Sequence, residues 1–157
     1  MKLTVGNNAP DFSLPTDSGE NLSLSNFFDK KNVVLYFYPK DDTPGCTIEA
    51  KDFKDKINDF SSFDTVIIGV SKDSIKCHAN FKAKYSLPFY LVSDENIEIL
   101  EKYGVWVEKS MFSKKYMGIE RTTFLINKKG KIVNIWKNVK VNKHVDKVLE
   151  QVKKIKI

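Results

Sequence analysis

Two largely apolar runs, separated by a helical pattern, constrain the fold of this chain most strongly. The runs are residues 33–38 and 65–70, and no charged residue interrupts either of them. Such runs are typical of strands that are covered on both faces of a sheet. Between them, apolar residues recur at helical spacing on one face, at Cys46, Ala50, Phe53, Ile57 and Phe60. Strands that alternate with helices predict an α/β fold.

The flanking segments extend this pattern over the whole chain. Short alternating runs at 12–14 and 22–24 enclose a Thr-Asp-Ser-Gly turn and predict a hairpin. Asp73 is expected to cap a helix over 74–85. Further predicted elements are a strand at 89–92, a helix at 96–103, a hairpin of 121–126 and 131–136, an amphipathic helix from 141 to 155, and a loop or flap over about 105–120. Because 157 residues are about the size of one domain, we predict a single domain, 1–157, with a mixed sheet.

The N-terminus and the hydropathy pattern bear on location. The N-terminus lacks the apolar core of about 7–15 residues that marks a secretory signal. No apolar run approaches the roughly 18 residues that indicate a membrane span. We therefore expect a cytoplasmic protein that does not associate with membranes. In that compartment the two cysteines are expected to be catalytic or free rather than a structural disulfide.

The charges are mixed along the chain, with one exception in residue type. The 26 basic residues are interspersed with 20 acidic ones, which favours an ordinary solvated surface over a nucleic-acid interface. Arg121 is the only arginine, and every other basic residue is lysine. A planar guanidinium supplies a rigid fork of donors that a lysine cannot imitate. Arg121 is therefore a candidate for a specific role.

Cys46 occupies the first turn of the predicted helix after residues 33–38. A helix N-terminus presents free N–H groups and the positive end of the helix dipole, and both favour the nucleophilic thiolate. Thr43 can hydrogen-bond at the same helix start, and Pro39 and Pro44 shape the turn before it. The alternative is that Cys46 is a small buried hydrophobic residue, which is common for free cysteine.

The sequence lacks the residue patterns that other catalytic schemes require. Neither histidine is near Cys46 in sequence: His78 is expected to be packed or to cap a helix, and His144 to lie on the surface. Cys46 is not part of a Cys-x-x-Cys motif, and Cys46, Cys77 and His78 match no zinc spacing. No phosphate-binding or dinucleotide-binding glycine motif is present. We expect no metal and no cofactor.

The segment around Cys46 resembles a known family. Pro39, Thr43 and Cys46 match the P-x-x-x-T-x-x-C pattern of peroxiredoxins, and Arg121 matches the distant arginine of that family. The wording YFYPKDDTPGCTIEA is similar to the bacterioferritin-comigratory, or PrxQ-like, group, and the similarity extends over nearly the whole chain. The resemblance implies a thioredoxin-like fold with an N-terminal hairpin extension and a monomer. It also implies reduction of hydrogen peroxide or organic hydroperoxides without metal, haem or flavin.

The resemblance also implies roles for individual residues. The Cys46 thiolate would attack the terminal peroxide oxygen. Thr43, the Cys46 N–H and Arg121 would hold the two oxygens and stabilise the leaving alkoxide. Glu49 would hold Arg121 in place, and Pro39 would form a rigid wall of the pocket.

The sequence does not identify the thiol that returns oxidised Cys46 to its reduced form. Many relatives carry a resolving cysteine five residues after the first, where this chain has Lys51, and others carry it where this chain has Lys82. Cys77 is the remaining candidate, either as the resolving thiol, as inert packing or as an intermolecular thiol. Without it, the Cys46 sulfenic acid would be reduced directly by a small thiol or by thioredoxin or a similar dithiol. The alternative function is a redox-sensing or binding protein of thioredoxin fold without efficient turnover.

Overall fold

The computed structural model describes residues 2–155, in which strands and helices alternate. The strands are β1 (Ser13–Pro15), β2 (Asn21–Ser23), β3 (Asn32–Phe37), β4 (Thr65–Ser71), β5 (Tyr90–Ser93), β6 (Trp106–Met111), β7 (Lys114–Ile119), β8 (Thr122–Ile126) and β9 (Ile132–Trp136). The helices are α1 (Pro44–Asp55), α2 (Ile57–Ser62), α3 (Ile75–Tyr85), α4 (Glu98–Lys102) and α5 (His144–Lys153), with a 3₁₀ turn at Leu24–Phe27. No helix within residues 2–155 is long and apolar enough to cross a membrane.

A five-stranded mixed sheet organises the molecule, in the order β5-β4-β3-β8-β9. The pairs β3–β4 and β4–β5 are parallel, whereas β8 runs antiparallel to β3 and to β9. Strands β1 and β2 form a separate antiparallel pair, which is the expected N-terminal hairpin. The predicted α/β class and mixed sheet are confirmed. Every residue of β3 is buried because the strand is central and covered on both faces.

The two faces of β3 contribute to two cores. Val33, Leu35 and Phe37 pack with the N-terminal hairpin and α4, in a cluster that includes Phe12, Leu22, Ile99 and Leu100. Val34 and Tyr36 face the other helices, in a cluster that includes Cys46, Phe53, Phe60, Phe81 and Val148. This alternation follows from the period of two along a strand. Cys46, which belongs to α1, thus faces the core that this helix shares with α3 and α5.

The helical segment after β3 is interrupted, and the next helix is capped differently from the expectation. Lys56, with φ −106° and ψ 11°, leaves helical geometry and separates α1 from α2. The prediction that Asp73 caps α3 is wrong, because Ser74 is the N-cap and its hydroxyl accepts from the Cys77 N–H at 3.1 Å. The Asp73 carboxylate instead accepts from the Ser71 hydroxyl and from the backbone of Asp41. The Asp73 carboxylate is therefore engaged by donors outside the helix, and α3 begins after Ser74.

The prediction of a loop or flap over 105–120 is also wrong, because β6 and β7 form a regular antiparallel hairpin there. Its two turn residues, Phe112 and Ser113, both have positive φ, at 51° and 66°. That conformation is the one two-residue hairpin turns require, and Asn-Gly normally supplies it. The sequence does not predict this hairpin, because Phe-Ser is not a residue pair typical of such turns.

Candidate active site

Cys46 lies at the beginning of α1, where the local sequence favours a helix start. Thr43 is the N-cap residue with extended backbone, and Pro44 occupies the first helical position. Proline is well suited to that position because its missing N–H would have no partner there. Cys46 is the third residue of the helix and is only 1% exposed. The thiol is thus at the positive end of a helix and shielded from solvent.

Arg121 reaches Cys46 from the antiparallel half of the sheet. Phe37 at the end of β3 pairs with Thr122 at the start of β8, which places Arg121 beside the loop that leads into α1. The guanidinium Nη2 lies 3.4 Å from the Cys46 Sγ, and Nη1 donates to the Glu49 Oε1 at 2.7 Å. Both contacts use the rigid fork of a guanidinium. One residue therefore bridges the thiol and a carboxylate.

Gly45 allows this close approach. A Cβ atom at position 45 would lie 3.1 Å from the Arg121 Nη2 and would press on the guanidinium. The absence of a side chain is therefore a local sequence feature that lets Arg121 reach the thiol.

The charges of Glu49 and Arg121 depend on two opposing effects. Burial disfavours the charged form of each side chain, and pairing with the opposite charge favours it. Glu49 is completely buried, and burial raises its pKa to about 7, although the nearby Arg121 opposes the rise. For Arg121, partial burial works against the charge, but Glu49 and Cys46 outweigh it and raise the pKa of the guanidinium. Arg121 thus stays cationic, whereas Glu49 is held close to its titration point at neutral pH.

Thr43 and Pro39 belong to the loop that leads from β3 into α1. The Thr43 hydroxyl donates to the Lys40 carbonyl at 2.9 Å and makes no capping bond to the first turn of α1. Its oxygen therefore keeps lone pairs that can accept a hydrogen bond. Pro39 is half-buried and directly follows the buried Tyr38. The structure thus brings the predicted residues Thr43, Cys46, Glu49 and Arg121 together at one helix start, and Pro39 lies in the loop that leads to it.

His144 is a site residue that the sequence interpretation missed. The prediction of a surface position is wrong: His144 is 3% exposed, and its ring packs edge-on against Phe53 and Trp136. Its Nε2 lies 2.9 Å from the Thr123 Oγ1 and 3.9 Å from the Glu49 Oε2. Burial lowers the pKa of His144 to about 4, with smaller contributions from Arg121 and Lys147. The imidazole is therefore neutral at physiological pH.

A sequence signal for His144 did exist. His144, Val148 and Val152 are spaced by four residues, and all three are buried on one stripe of α5. In the sequence pattern His144 falls outside the apolar stripe of Val145, Val148 and Leu149, which favours a surface position for this polar side chain.

His78 is packed, as expected, in a buried polar cluster. Its Nε2 lies 2.9 Å from the Val92 carbonyl, which can only accept, so this nitrogen carries the hydrogen. Its Nδ1 lies 2.6 Å from the Asp41 Oδ2, and the Tyr38 hydroxyl donates to the other oxygen of Asp41. Asp73 lies within metal-binding distance of Asp41 and His78, but the three side chains are already engaged in hydrogen bonds. The cluster ties the loop before α1 to α3.

Cys77 lies in the first turn of α3 and is exposed, and both cysteines are free thiols. It lines a cavity of about 200 Å³ together with residues 40–42 of the loop that precedes Thr43. The structure therefore places Cys77 beside the active-site loop but outside the buried pocket of Cys46.

Comparison with known proteins agrees with this geometry. The sequence model of the AhpC/TSA family matches residues 5–135. A putative peroxiredoxin Bcp of Coxiella burnetii is 55% identical over 95% of this chain and 98% of the relative. The peroxiredoxin Bcp of Bacillus subtilis is 49% identical over 98% of this chain and 97% of the relative.

Solved structures show the same fold. A cysteine mutant of Xylella fastidiosa PrxQ superposes with a TM-score of 0.93 at 35% identity, covering 98% of both chains. The Xanthomonas campestris bacterioferritin comigratory protein, studied for alkyl peroxide reduction, has a TM-score of 0.87 at 40% identity, covering 91% of this chain and 90% of its own. The expected thioredoxin-like fold is confirmed. This chain belongs to the AhpC/TSA family and, within it, to the bacterioferritin-comigratory group of peroxiredoxins, which are thiol peroxidases.

Proposed function

We propose that Cys46 is the peroxidatic nucleophile of this thiol peroxidase and that Arg121 is its principal electrostatic partner. The observation that carries the proposal is the bridge in which Arg121 contacts the Cys46 Sγ at 3.4 Å and the Glu49 Oε1 at 2.7 Å. A guanidinium at this distance favours the thiolate and is fixed by Glu49 before substrate arrives. No rearrangement of the cation is then required during the reaction.

The chemistry follows from this arrangement. The Cys46 thiolate attacks the terminal oxygen of a hydroperoxide, forming the S–O bond as the O–O bond breaks. The sulfur is oxidised to a sulfenic acid and the peroxide is reduced to an alkoxide or hydroxide, which takes up one proton to leave as alcohol or water. Arg121 and the N–H groups at the start of α1 stabilise the negative charge on the leaving oxygen.

Thr43 and Pro39 orient the substrate in this scheme. The Thr43 hydroxyl proton is directed to the Lys40 carbonyl, so its oxygen is free to accept the O–H of the hydroperoxide. That bond would hold the peroxide in line with the sulfur. Pro39 provides a half-buried wall with no backbone donor, which excludes a competing water from that side.

We propose that Cys77 resolves the Cys46 sulfenic acid: the Cys77 sulfur attacks the Cys46 sulfur, the S–S bond forms as the S–O bond breaks, and the oxygen leaves as water. The support is that Cys77 is exposed and shares a cavity with residues 40–42, close in sequence to Cys46. The Cys46 thiol is buried, so in this scheme the first turn of α1 unwinds to bring the two Cα atoms within the roughly 7 Å that a disulfide requires. The second candidate is direct reduction of the sulfenic acid by an external thiol.

The partners follow from this cycle. The substrate is a hydroperoxide, and the reductant is thioredoxin or a similar dithiol that reopens the disulfide. We further propose a monomeric cytoplasmic enzyme that acts as one domain and binds neither nucleic acid nor membranes. Support for the compartment comes from the two free thiols, and support for the single domain from the two cores that share one central sheet.

Mass spectrometry of the non-reduced protein after an equimolar amount of hydrogen peroxide tests the scheme. We expect a Cys46–Cys77 link within one chain, reversed by a dithiol with further peroxide consumption. A sulfenic or sulfinic Cys46 beside a free Cys77 would exclude the resolving role. A protein that is oxidised once and never recycled would favour a redox sensor over a peroxidase.

A further inference from the structure

One carboxylate oxygen next to the active site lacks a hydrogen bond. The Glu49 Oε1 accepts from Arg121, but the Glu49 Oε2 is fully buried and has no hydrogen-bond partner among residues 2–155. A buried acceptor left unsatisfied costs about 1–3 kcal/mol. A fixed polar group nearby can offset part of that cost. The imidazole Nε2 of His144 lies 3.9 Å from this oxygen.

We assign the tautomer of His144 from its neighbours, because the contact with Thr123 alone is compatible with either direction of the hydrogen bond. The ring is neutral at physiological pH, so it carries one N–H. With a hydrogen on Nε2, the ring donates to the Thr123 Oγ1 at 2.9 Å and also presents a positive dipole end near the Glu49 Oε2. With a bare Nε2, a lone pair would face the carboxylate and repel it. The Nε2–H form is therefore the one compatible with an ionised Glu49.

We propose that His144 is a positioning residue of the peroxide site: with Thr123, it holds the Glu49 carboxylate in the orientation that directs Arg121 at Cys46. The inference rests on the proposed roles of Cys46 and Arg121. It extends the site from α1 and the start of β8 to the C-terminal helix α5.

The effect passes through three contacts in series. His144 acts on the Glu49 Oε2, the Glu49 Oε1 holds the Arg121 Nη1, and the Arg121 Nη2 approaches the Cys46 sulfur. Loss of the imidazole N–H leaves the buried oxygen with no dipole to favour its charge, so Glu49 retains its proton to higher pH. A protonated Glu49 holds Arg121 less firmly, and the thiolate loses its partner.

Several other ionisable groups influence this pair. Those that interact electrostatically with Glu49 are Tyr36 from β3, Asp52 from α1 and Arg121, and those that act on His144 are Arg121 and Lys147. All of them are retained in the variants below. A change in the pH profile between those variants therefore reports on the substituted side chain alone.

A matched pair of substitutions tests the inference. Gln and Met have nearly the same shape, but Gln places an N–H near the position of the histidine Nε2 and Met does not. We measure the single-turnover rate of Cys46 oxidation by hydrogen peroxide across pH. For His144→Met, the acid limb of the profile moves up by about one pH unit, which lowers the rate on that limb about tenfold. His144→Gln recovers most of that loss.

Two outcomes would overturn the positioning role. One is an unchanged profile in His144→Met, and the other is an equal loss in the Met and Gln variants at every pH, which indicates packing alone. If His144→Met does not fold, Thr123→Val removes the hydroxyl that orients the ring. We expect this variant to shift the acid limb in the same direction by a smaller amount, and an unshifted limb counts against the inference.

Alkylation by iodoacetamide separates this inference from the proposed function. The modification of the two cysteine peptides is followed by mass spectrometry, and Cys77 serves as the internal control. We expect His144→Met to slow alkylation of Cys46 relative to Cys77, with recovery in His144→Gln. If the variants give that result but the wild-type protein consumes no peroxide, the proposed function is refuted and the role of His144 stands. Equal alkylation ratios in all three proteins would refute the role itself.

Discussion

The two cysteines occupy the same position in two different helices. Cys46 is the third residue of α1, after the N-cap Thr43, and Cys77 is the third residue of α3, after the N-cap Ser74. Both therefore experience the positive end of a helix dipole. Cys46 is buried beside Arg121, whereas Cys77 is exposed. The position at a helix N-terminus therefore does not distinguish the proposed peroxidatic thiol from Cys77, and the difference lies in the surrounding residues.

The equivalent neighbours show what makes the difference. The residue before the thiol is Gly45 in α1, which lets Arg121 approach, and Lys76 in α3. Three residues after the thiol, α1 has the buried Glu49, which holds Arg121, and α3 has the exposed Asn80. In α3 the Ser74 side chain accepts from the first turn, whereas the Thr43 side chain leaves the first turn of α1 open to a bound oxygen.

Exchange of each cysteine for serine tests the comparison most strongly. We expect Cys46→Ser to lower the rate of peroxide consumption by about 10³-fold or more, because the nucleophile is lost. Cys77→Ser should leave the first oxidation of Cys46 close to the wild-type rate but slow later turnovers. Stopped-flow measurement with a dithiol donor distinguishes the two steps. Fast oxidation in Cys46→Ser would show that Cys77 is reactive after all.

Replacement of Arg121 by lysine tests the guanidinium itself. A single ammonium can contact the thiolate or Glu49 but cannot span both, so the second-order rate constant with peroxide should fall about 10²-fold. In Arg121→Met, which also removes the charge, this rate constant should fall further. Lysine with the full wild-type rate would show that charge alone is sufficient.

The pH dependence of stability tests the buried pair behind the site. The pKa of Glu49 is raised to about 7, so the folded state holds its proton more tightly and stability falls as pH rises from the ordinary value of 4.5 towards 7. The pKa of His144 is lowered to about 4, so stability rises with pH between 4 and its ordinary value of 6.5. The two effects oppose each other over most of this range.

Glu49→Gln removes the contribution to stability that falls as pH rises. Urea unfolding of this variant should show stability that rises with pH through the His144 window, by up to about 3 kcal/mol more than in the wild type. Asn80→Asp places a carboxylate at the equivalent exposed position of α3 and should change stability by less than about 0.5 kcal/mol. Identical pH profiles for Glu49→Gln and the wild type would contradict the buried position of the charge.

Substitution by alanine of the residue before each thiol gives the smallest expected effect. In Gly45→Ala the new Cβ would lie 3.1 Å from the Arg121 Nη2, so the guanidinium must shift by a few tenths of an ångström. We expect the rate of Cys46 oxidation to fall about threefold to tenfold. Lys76→Ala, the matched change before Cys77, should leave that rate unaltered. Equal rates for Gly45→Ala and the wild type would show that Arg121 has more room than the structure indicates.

Much of the fold was predictable because its signals are local. The apolar runs of β3 and β4 and the helical spacing around Cys46 follow directly from the periods of strands and helices. The β6–β7 hairpin was not predictable, because its Phe112-Ser113 turn lacks the residues that usually adopt positive φ. Asp73 was misassigned because its carboxylate bonds to Ser71 and Asp41, one of them distant in sequence.

By itself, the sequence determined the α/β order of elements, the helix start that carries Cys46, and the family pattern of Pro39, Thr43 and Arg121. Only the tertiary structure decided which side chains surround the thiol. The pairing of β3 with β8 brings Arg121 to a cysteine 75 residues away, and α5 brings His144 to Glu49. The physical reason is that helix and strand periods are encoded within a few residues, whereas burial and charge pairing depend on which surfaces meet.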